Sequence, residues 1–209
     1  MRPSTERGRV TRGALLGVAL AALPLVLAAP AGAKTGTKTI HECVSGSAPL
    51  LDRSSSSLSL NVPVPKDGLK PQLGATSALT VGVRATHTAD SDLSFVLVPP
   101  DGNAYSLAIR RGSSGDGYGS GAASCSGSLV LFSDLFTTPI STPGNTGDNP
   151  ITGSFKPDYP LFNLTNHTKT FGLWTLLGND SATDDTGAIN AFSLDMTYTY
   201  KKSKKKKKK

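Results

Sequence analysis

Leu93-Ser94-Phe95-Val96-Leu97-Val98-Pro99-Pro100-Asp101-Gly102-Asn103-Ala104-Tyr105-Ser106-Leu107-Ala108-Ile109 is the stretch that decides the fold. Leu93 to Val98 reads as an apolar run, the pattern of a central strand buried on both faces. Tyr105, Leu107 and Ile109 alternate with small residues, as in a strand with one buried face. Between them, Pro99-Pro100-Asp101-Gly102 has the turn chemistry of a hairpin: proline presets φ and glycine supplies a positive one.

The same period of two extends in both directions. Leu58, Leu60, Val62 and Val64 alternate, as do Leu79, Val81, Val83 and Ala85. Leu129 to Phe132 and Phe171 to Leu177 are short apolar runs, and Phe192, Leu194, Met196 and Tyr198 close the set. Helical periodicity is sustained nowhere. The whole chain has 209 residues with 22 Gly and 14 Pro, and only 37% of residues are hydrophobic and 18% charged. This excludes a polytopic membrane protein, a coiled coil and a helical bundle. The expected fold is all-β, a β-sandwich or jelly roll of seven or eight strands over 58–200. Residues 34–57 read as a small, polar N-terminal segment with Ser54–Ser57 as loop, Gly112 to Gly127 as a long mobile loop, and Pro139 to Pro160 as an irregular excursion.

Both termini stand apart from this body. Residues 1–33 read as a cleaved signal peptide: Arg2, Arg7, Arg9 and Arg12 precede an uncharged apolar stretch from Ala14 to Ala29, followed by Ala31-Gly32-Ala33. The competing reading is an uncleaved anchor, for which the apolar stretch is short and interrupted by Pro24. At the other end, 201–209 hold eight lysines: Lys201, Lys202, Lys204, Lys205, Lys206, Lys207, Lys208 and Lys209. Like charges so dense repel and have nothing to bury, so a disordered poly-lysine tail is expected. The formal charge is +7, but without leader and tail it becomes −4, ten basic residues against 14 acidic ones. The tail therefore points to polyanion binding, at an anionic cell-envelope polymer or membrane surface; a solubilising tail with no specific partner is the alternative. Sequence-specific nucleic-acid readout needs base-reading side chains on a folded surface, and Tyr198 and Tyr200 are the aromatics near the tail. No such binding is expected. The expected location is secreted, with cell-envelope association.

Export makes one disulfide between Cys43 and Cys125 the default, with two separate thiols as the other reading. A structural zinc needs four ligands, more than this pair supplies.

Six segments in order carry a family resemblance. They are Thr86-His87-Thr88-Ala89-Asp90-Ser91-Asp92-Leu93; Phe95 to Gly102; Phe132-Ser133-Asp134; Gly153-Ser154-Phe155-Lys156-Pro157 with Pro160-Leu161; Gly172-Leu173-Trp174-Thr175-Leu176; and Asp185-Thr186-Gly187-Ala188-Ile189-Asn190-Ala191-Phe192-Ser193-Leu194. Together they resemble the P domain, or P/Homo B domain, of proprotein convertases and subtilisin-like proteases, with Phe192 where a Trp is usual. The resemblance implies an eight-stranded jelly roll that, in its family, stabilises an adjoining protease domain. This chain holds no such catalytic domain. The expected function is thus a secreted, non-catalytic interaction or stabilising module held at anionic surfaces by its tail. The alternative is an accessory to a separate subtilisin-like serine protease.

The candidate chemistry is sparse. Of the histidines, His41, His87 and His167, none has a subtilase context, and no Gly-Thr-Ser nucleophile motif occurs. Asp185-Thr186-Gly187 copies an aspartic-protease tripeptide but falls where the P-domain pattern has a turn. His87 reads as a strand-end hydrogen-bonding residue. No catalytic residue is assigned. Asp90, Asp92, Asp180, Asp184 and Asp185, on two acidic loops, form a candidate calcium set, against the simpler reading that Asp and Asn there form turns. Trp174 is expected in the core, which leaves few aromatics for stacking on sugars.

Overall fold

A computed structural model describes residues 35–63, 79–142, 149–162, 164 and 171–201. The predicted signal peptide, His167, Lys202 and Lys204 to Lys209 lie outside the described residues. Strands dominate: β1 (Thr35–Leu50), β2 (Ser55–Val62), β3 (Leu79–His87), β4 (Leu93–Val98), β5 (Tyr105–Ile109), β6 (Gly117–Tyr118), β7 (Val130–Phe132), β8 (Ser154–Phe155), β9 (Gly172–Asp180) and β10 (Gly187–Lys201). One sheet runs β1-β10-β3-β7-β8, with β6 also paired to β3; the other runs β2-β9-β4-β5. With the two-residue strands β6 and β8 set aside, successive strands alternate between sheets except at the β4–β5 hairpin, which is the order of a jelly roll. The all-β sandwich expected from the alternation is the fold.

The core lies between the sheets. Leu60 and Val62 of β2, Val81, Val83 and Ala85 of β3, Phe95 and Leu97 of β4, Trp174 and Leu176 of β9, and Phe192 and Leu194 of β10 are all buried there. Their spacing of two follows from the pleat, which sends alternate side chains to opposite faces. Phe95 meets Tyr118 edge to face with ring centroids 4.9 Å apart, which ties the Gly-rich segment to the core. Gly178 sits where a Cβ would press on Ile189 and Leu50, so the absent side chain lets β9 pass close to the facing sheet.

Two expectations change. The N-terminal segment is part of the sandwich: Ser55 to Ser57 open β2 and are not loop, and the small polar side chains of 35–50 hide an edge strand whose backbone pairs with β10 from Thr35↔Lys201 to Leu50↔Gly187. Partly buried Ile40 and Val44, then buried Ala48 and Leu50, supply its thin apolar face. Central strand β4 is not buried on both faces. Leu93, Phe95 and Leu97 point inward, while Ser94, Val96 and Val98 are half-buried on the outer face. The hairpin is as expected: β4 and β5 are antiparallel, Gly102 N–H donates to the Pro99 carbonyl at 2.9 Å, and Gly102 has φ 84°.

The register gives the sandwich two ends. Leu79 faces Met196, and the Ser133 hydroxyl donates to the Leu79 carbonyl at 2.8 Å, so the Ser133 turn and the start of β3 share the end where β10 leads toward the lysines. His87 faces Gly187, and Leu93 faces Asp180, at the opposite end.

Candidate functional site

The opposite end gathers most of the residues singled out in the sequence. His87 is the last residue of β3 and points to the core side, in phase with Val81, Val83 and Ala85. Its Nε2 lies 3.1 Å from Asp180 Oδ2, and both side chains are fully buried. In the neutral ring, Nε2–H donates to Asp180 while Nδ1 accepts Ala89 N–H at 3.1 Å. In the protonated ring, Nδ1–H donates to the Ala89 carbonyl at 2.8 Å instead. Either way both nitrogens are engaged, which makes His87 the strand-end hydrogen-bonding residue its position predicts. His41 lies far from it in the sandwich, exposed on β1 beside Asp195.

The five candidate calcium carboxylates share this end, but their oxygens are turned to local partners. Asp90 is buried, and its Oδ1 accepts Ser113 N–H at 2.6 Å. Asp180 Oδ1 accepts Ala182 N–H at 3.0 Å. Asp185 takes the Thr88 hydroxyl and Asp184 the Thr183 hydroxyl. Asp92 contributes its backbone carbonyl, which accepts both Ser181 N–H and the Ser181 hydroxyl. Among the described residues, no three His, Cys, Asp or Glu side chains converge as a metal-holding group. These are the bonds by which acidic residues build turns.

The outward side of β3 carries a feature that alternation alone does not announce. Arg84 points away from the core, yet it is only 7% exposed, because the Gly-rich segment 112–128 folds over it. Its Nη1 donates to the Ala85 and Tyr118 carbonyls at 2.9 and 3.0 Å, and Nη2 donates to the Gly121 carbonyl at 3.3 Å. Burial holds its pKa below the usual arginine value. A cavity of about 430 Å³ opens beside it, walled by Thr86, Thr88, Asp116, Ser120 and Thr186 among others. Gly119, with φ 79°, lies so close that a Cβ would meet the Ser128 carbonyl and Arg84 Cδ.

The covering segment is fastened at both flanks. Cys43 and Cys125 are joined in a disulfide, and Cys125 N–H donates to Ser45 Oγ at 2.8 Å. The one-disulfide reading of the two cysteines is therefore the one realised. On the other flank, Arg111 grips Asp158 through Nε and Nη2, with Nη2 2.6 Å from Asp158 Oδ1. That contact raises the Arg111 pKa. The segment predicted to be a mobile loop thus includes β6 and a cross-link.

Sequence reasoning missed Arg84, Asp116 and Ser120. The available signal was a lone arginine within the strand Leu79–His87, but burial of an outward position depends on what folds over it. The lysine cluster is only begun within the described residues, where Lys201 ends β10.

No family model and no curated protein matches this sequence. Among solved structures, the chain is similar to the serine protease of Aeromonas sobria, with TM-score 0.42 and 15% identity over 83% of this chain. It is also similar to a chain in the complex of that protease with the chaperone ORF2, with TM-score 0.45 and 12% identity over 80% of this chain. It spans 29% and 28% of those two chains.

Proposed function

We propose that this protein is an exported, non-catalytic β-sandwich module that its lysine tail holds at an anionic surface, with the loop-bearing end turned outward. The observation that carries this reading is the segregation of charge along the sandwich. Asp52, Asp90, Asp92, Asp180, Asp184 and Asp185 stand in or beside the turns at one end, where they outnumber Arg53, Arg110 and Arg111, while Lys201 and the seven lysines after it continue from the other. Each lysine close to an anionic surface contributes roughly 1 kcal/mol, falling off within a Debye length. The acidic end is repelled, so the same field also orients the body. Leu135, 70% exposed, and Phe162, 55% exposed, stand on segments joined by the bond from Leu161 N–H to Asp134 Oδ1, near the tail end. They add apolar contact where the surface is a lipid bilayer.

A disulfide fits an oxidising compartment. The engagement of both His87 nitrogens and its burial support a structural role for the histidine nearest the acidic loops. Deleting Lys201–Lys209 is expected to release the protein from anionic vesicles or envelope polymer at low salt and to leave the melting temperature unchanged. Equal retention of the two forms rejects the reading.

The order of the P-domain-like segments, from Thr86–Leu93 to Asp185–Leu194, favours a second reading: the module supports a separate secreted subtilisin-like protease. Recovery of such a protease on the tail-deleted protein supports it; its absence from bait-specific eluates counts against it.

A further inference from the structure

Two arginines frame the covering segment, and they differ in one respect. Arg111 presents its Nε/Nη2 edge to a carboxylate, that of Asp158, in a side-on pair. On Arg84 the same edge has no carboxylate. A guanidinium has five N–H groups. Three of those on Arg84 go to the carbonyls of Ala85, Tyr118 and Gly121, and its buried Nε has no acceptor among the described residues. No described carboxylate lies within ion-pair distance of it, although Asp116 lines the same cavity. A buried cation satisfied only by neutral carbonyls, with two donors left over, is incomplete electrostatically.

We infer that the cavity beside Arg84 is a binding site for a small carboxylate-bearing ligand. The carboxylate approaches the guanidinium of Arg84 at its Nη2 end, and the covering segment yields where Nε, sealed from solvent, is to complete a side-on pair like that of Asp158 on Arg111. Thr86, Thr88, Ser120 and Thr186 line the same cavity and offer hydroxyl groups to the rest of the molecule. A volume of about 430 Å³ lies within the range of small-molecule sites. Asp116 sets the charge class: its carboxylate on the wall penalises a dianion more than a monoanion, and it offers an anchor to a ligand that also carries an ammonium group. The site lies at the end away from the tail, so it stays open when the tail is engaged, and it does not depend on the tail.

The test is an amide NMR titration of the full chain, disulfide intact, with sodium acetate and with inorganic phosphate, each against sodium chloride at matched ionic strength. Acetate is expected to give saturable shifts at Thr86, Gly119, Ser120 and Gly121, and phosphate, above its second pKa, to give weaker ones. Arg84→Lys keeps the charge but loses the two-proton edge, so it should bind acetate about tenfold more weakly or worse. Asp116→Asn should bind acetate a few-fold more tightly, and should narrow the gap between acetate and phosphate. Arg84→Gln should abolish the shifts; if it fails to fold, Arg84→Lys and Asp116→Asn decide the matter. The inference is overturned if acetate produces no saturable shift beyond chloride, if folded Arg84→Lys binds like the parent, or if phosphate binds more tightly than acetate.

Discussion

His87 and Arg84 lie three residues apart on one strand, both are buried, and both are basic, yet their surroundings are opposite. His87 falls on the inward face, where the fold supplies Asp180 and the Ala89 backbone and closes the site completely. Arg84 falls on the outward face, where burial comes from a Gly-rich segment that brings carbonyls and an open cavity but no paired carboxylate. His87 thus finishes its polar chemistry within the fold, whereas Arg84 leaves some unfinished. A buried polar group with all its partners stabilises a fold; one with a vacancy points to something outside it.

The largest effect is expected from removing the cross-link that fastens the outer cover. Replacing Cys43 and Cys125 by Ser releases a closure across a sequence separation of 82 residues. The chain-entropy estimate for such a loop is about 4–5 kcal/mol. Denaturant melts should register this loss, and hydrogen exchange should rise first in 117–128, the cover of Arg84. Uniform exchange across β3 and its cover would erase the distinction between the two sides.

Next in size is His87→Ala, which strands the Asp180 carboxylate in the core. Breaking one member of a buried pair costs about 3–5 kcal/mol. A loss under about 1 kcal/mol in equilibrium unfolding would mean that the inner side is not sealed as described.

The smallest effect sharpens the border between the sides. Tyr118 belongs to both, its ring packed on Phe95 and its hydroxyl donating to the Arg111 carbonyl at 3.3 Å. Burial, with Asp90 and Asp158 nearby, pushes its pKa well above the ordinary tyrosine value. The folded state therefore keeps the phenol proton at pH values where the unfolded chain has lost it. That contribution is complete below about pH 10 and declines as pH rises from there toward the folded value. Tyr118→Phe should cost about 1 kcal/mol near neutrality, and should flatten the fall of stability above pH 10. An unchanged alkaline slope would show that the ring is not sealed.

Much of the fold was legible because a half-buried strand must alternate. Leu58–Val62, Leu79–Ala85 and Phe192–Tyr198 announced themselves, and Pro99–Gly102 announced the hairpin; Val64 lies outside the described residues. Strand β1 was hidden because an edge strand is held by backbone bonds, which Thr, Gly and Ser make as well as Val does. The role of His87 was legible from its place at a strand end. That of Arg84 was not, because an outward-pointing residue is normally solvated and only the path of 112–128 makes this one buried.

By itself, then, the order of residues determined the pleated architecture, the inward set from Val81 to Leu194, the turn at Gly102 and the crowding of lysines after β10, since each depends on local spacing or composition. Only the tertiary structure decided that Asp180 reaches His87 across 93 residues and that a disulfide-tied segment covers Arg84. Those meetings depend on how two sheets stack and where a Gly-rich connection comes to rest, and no local period encodes either.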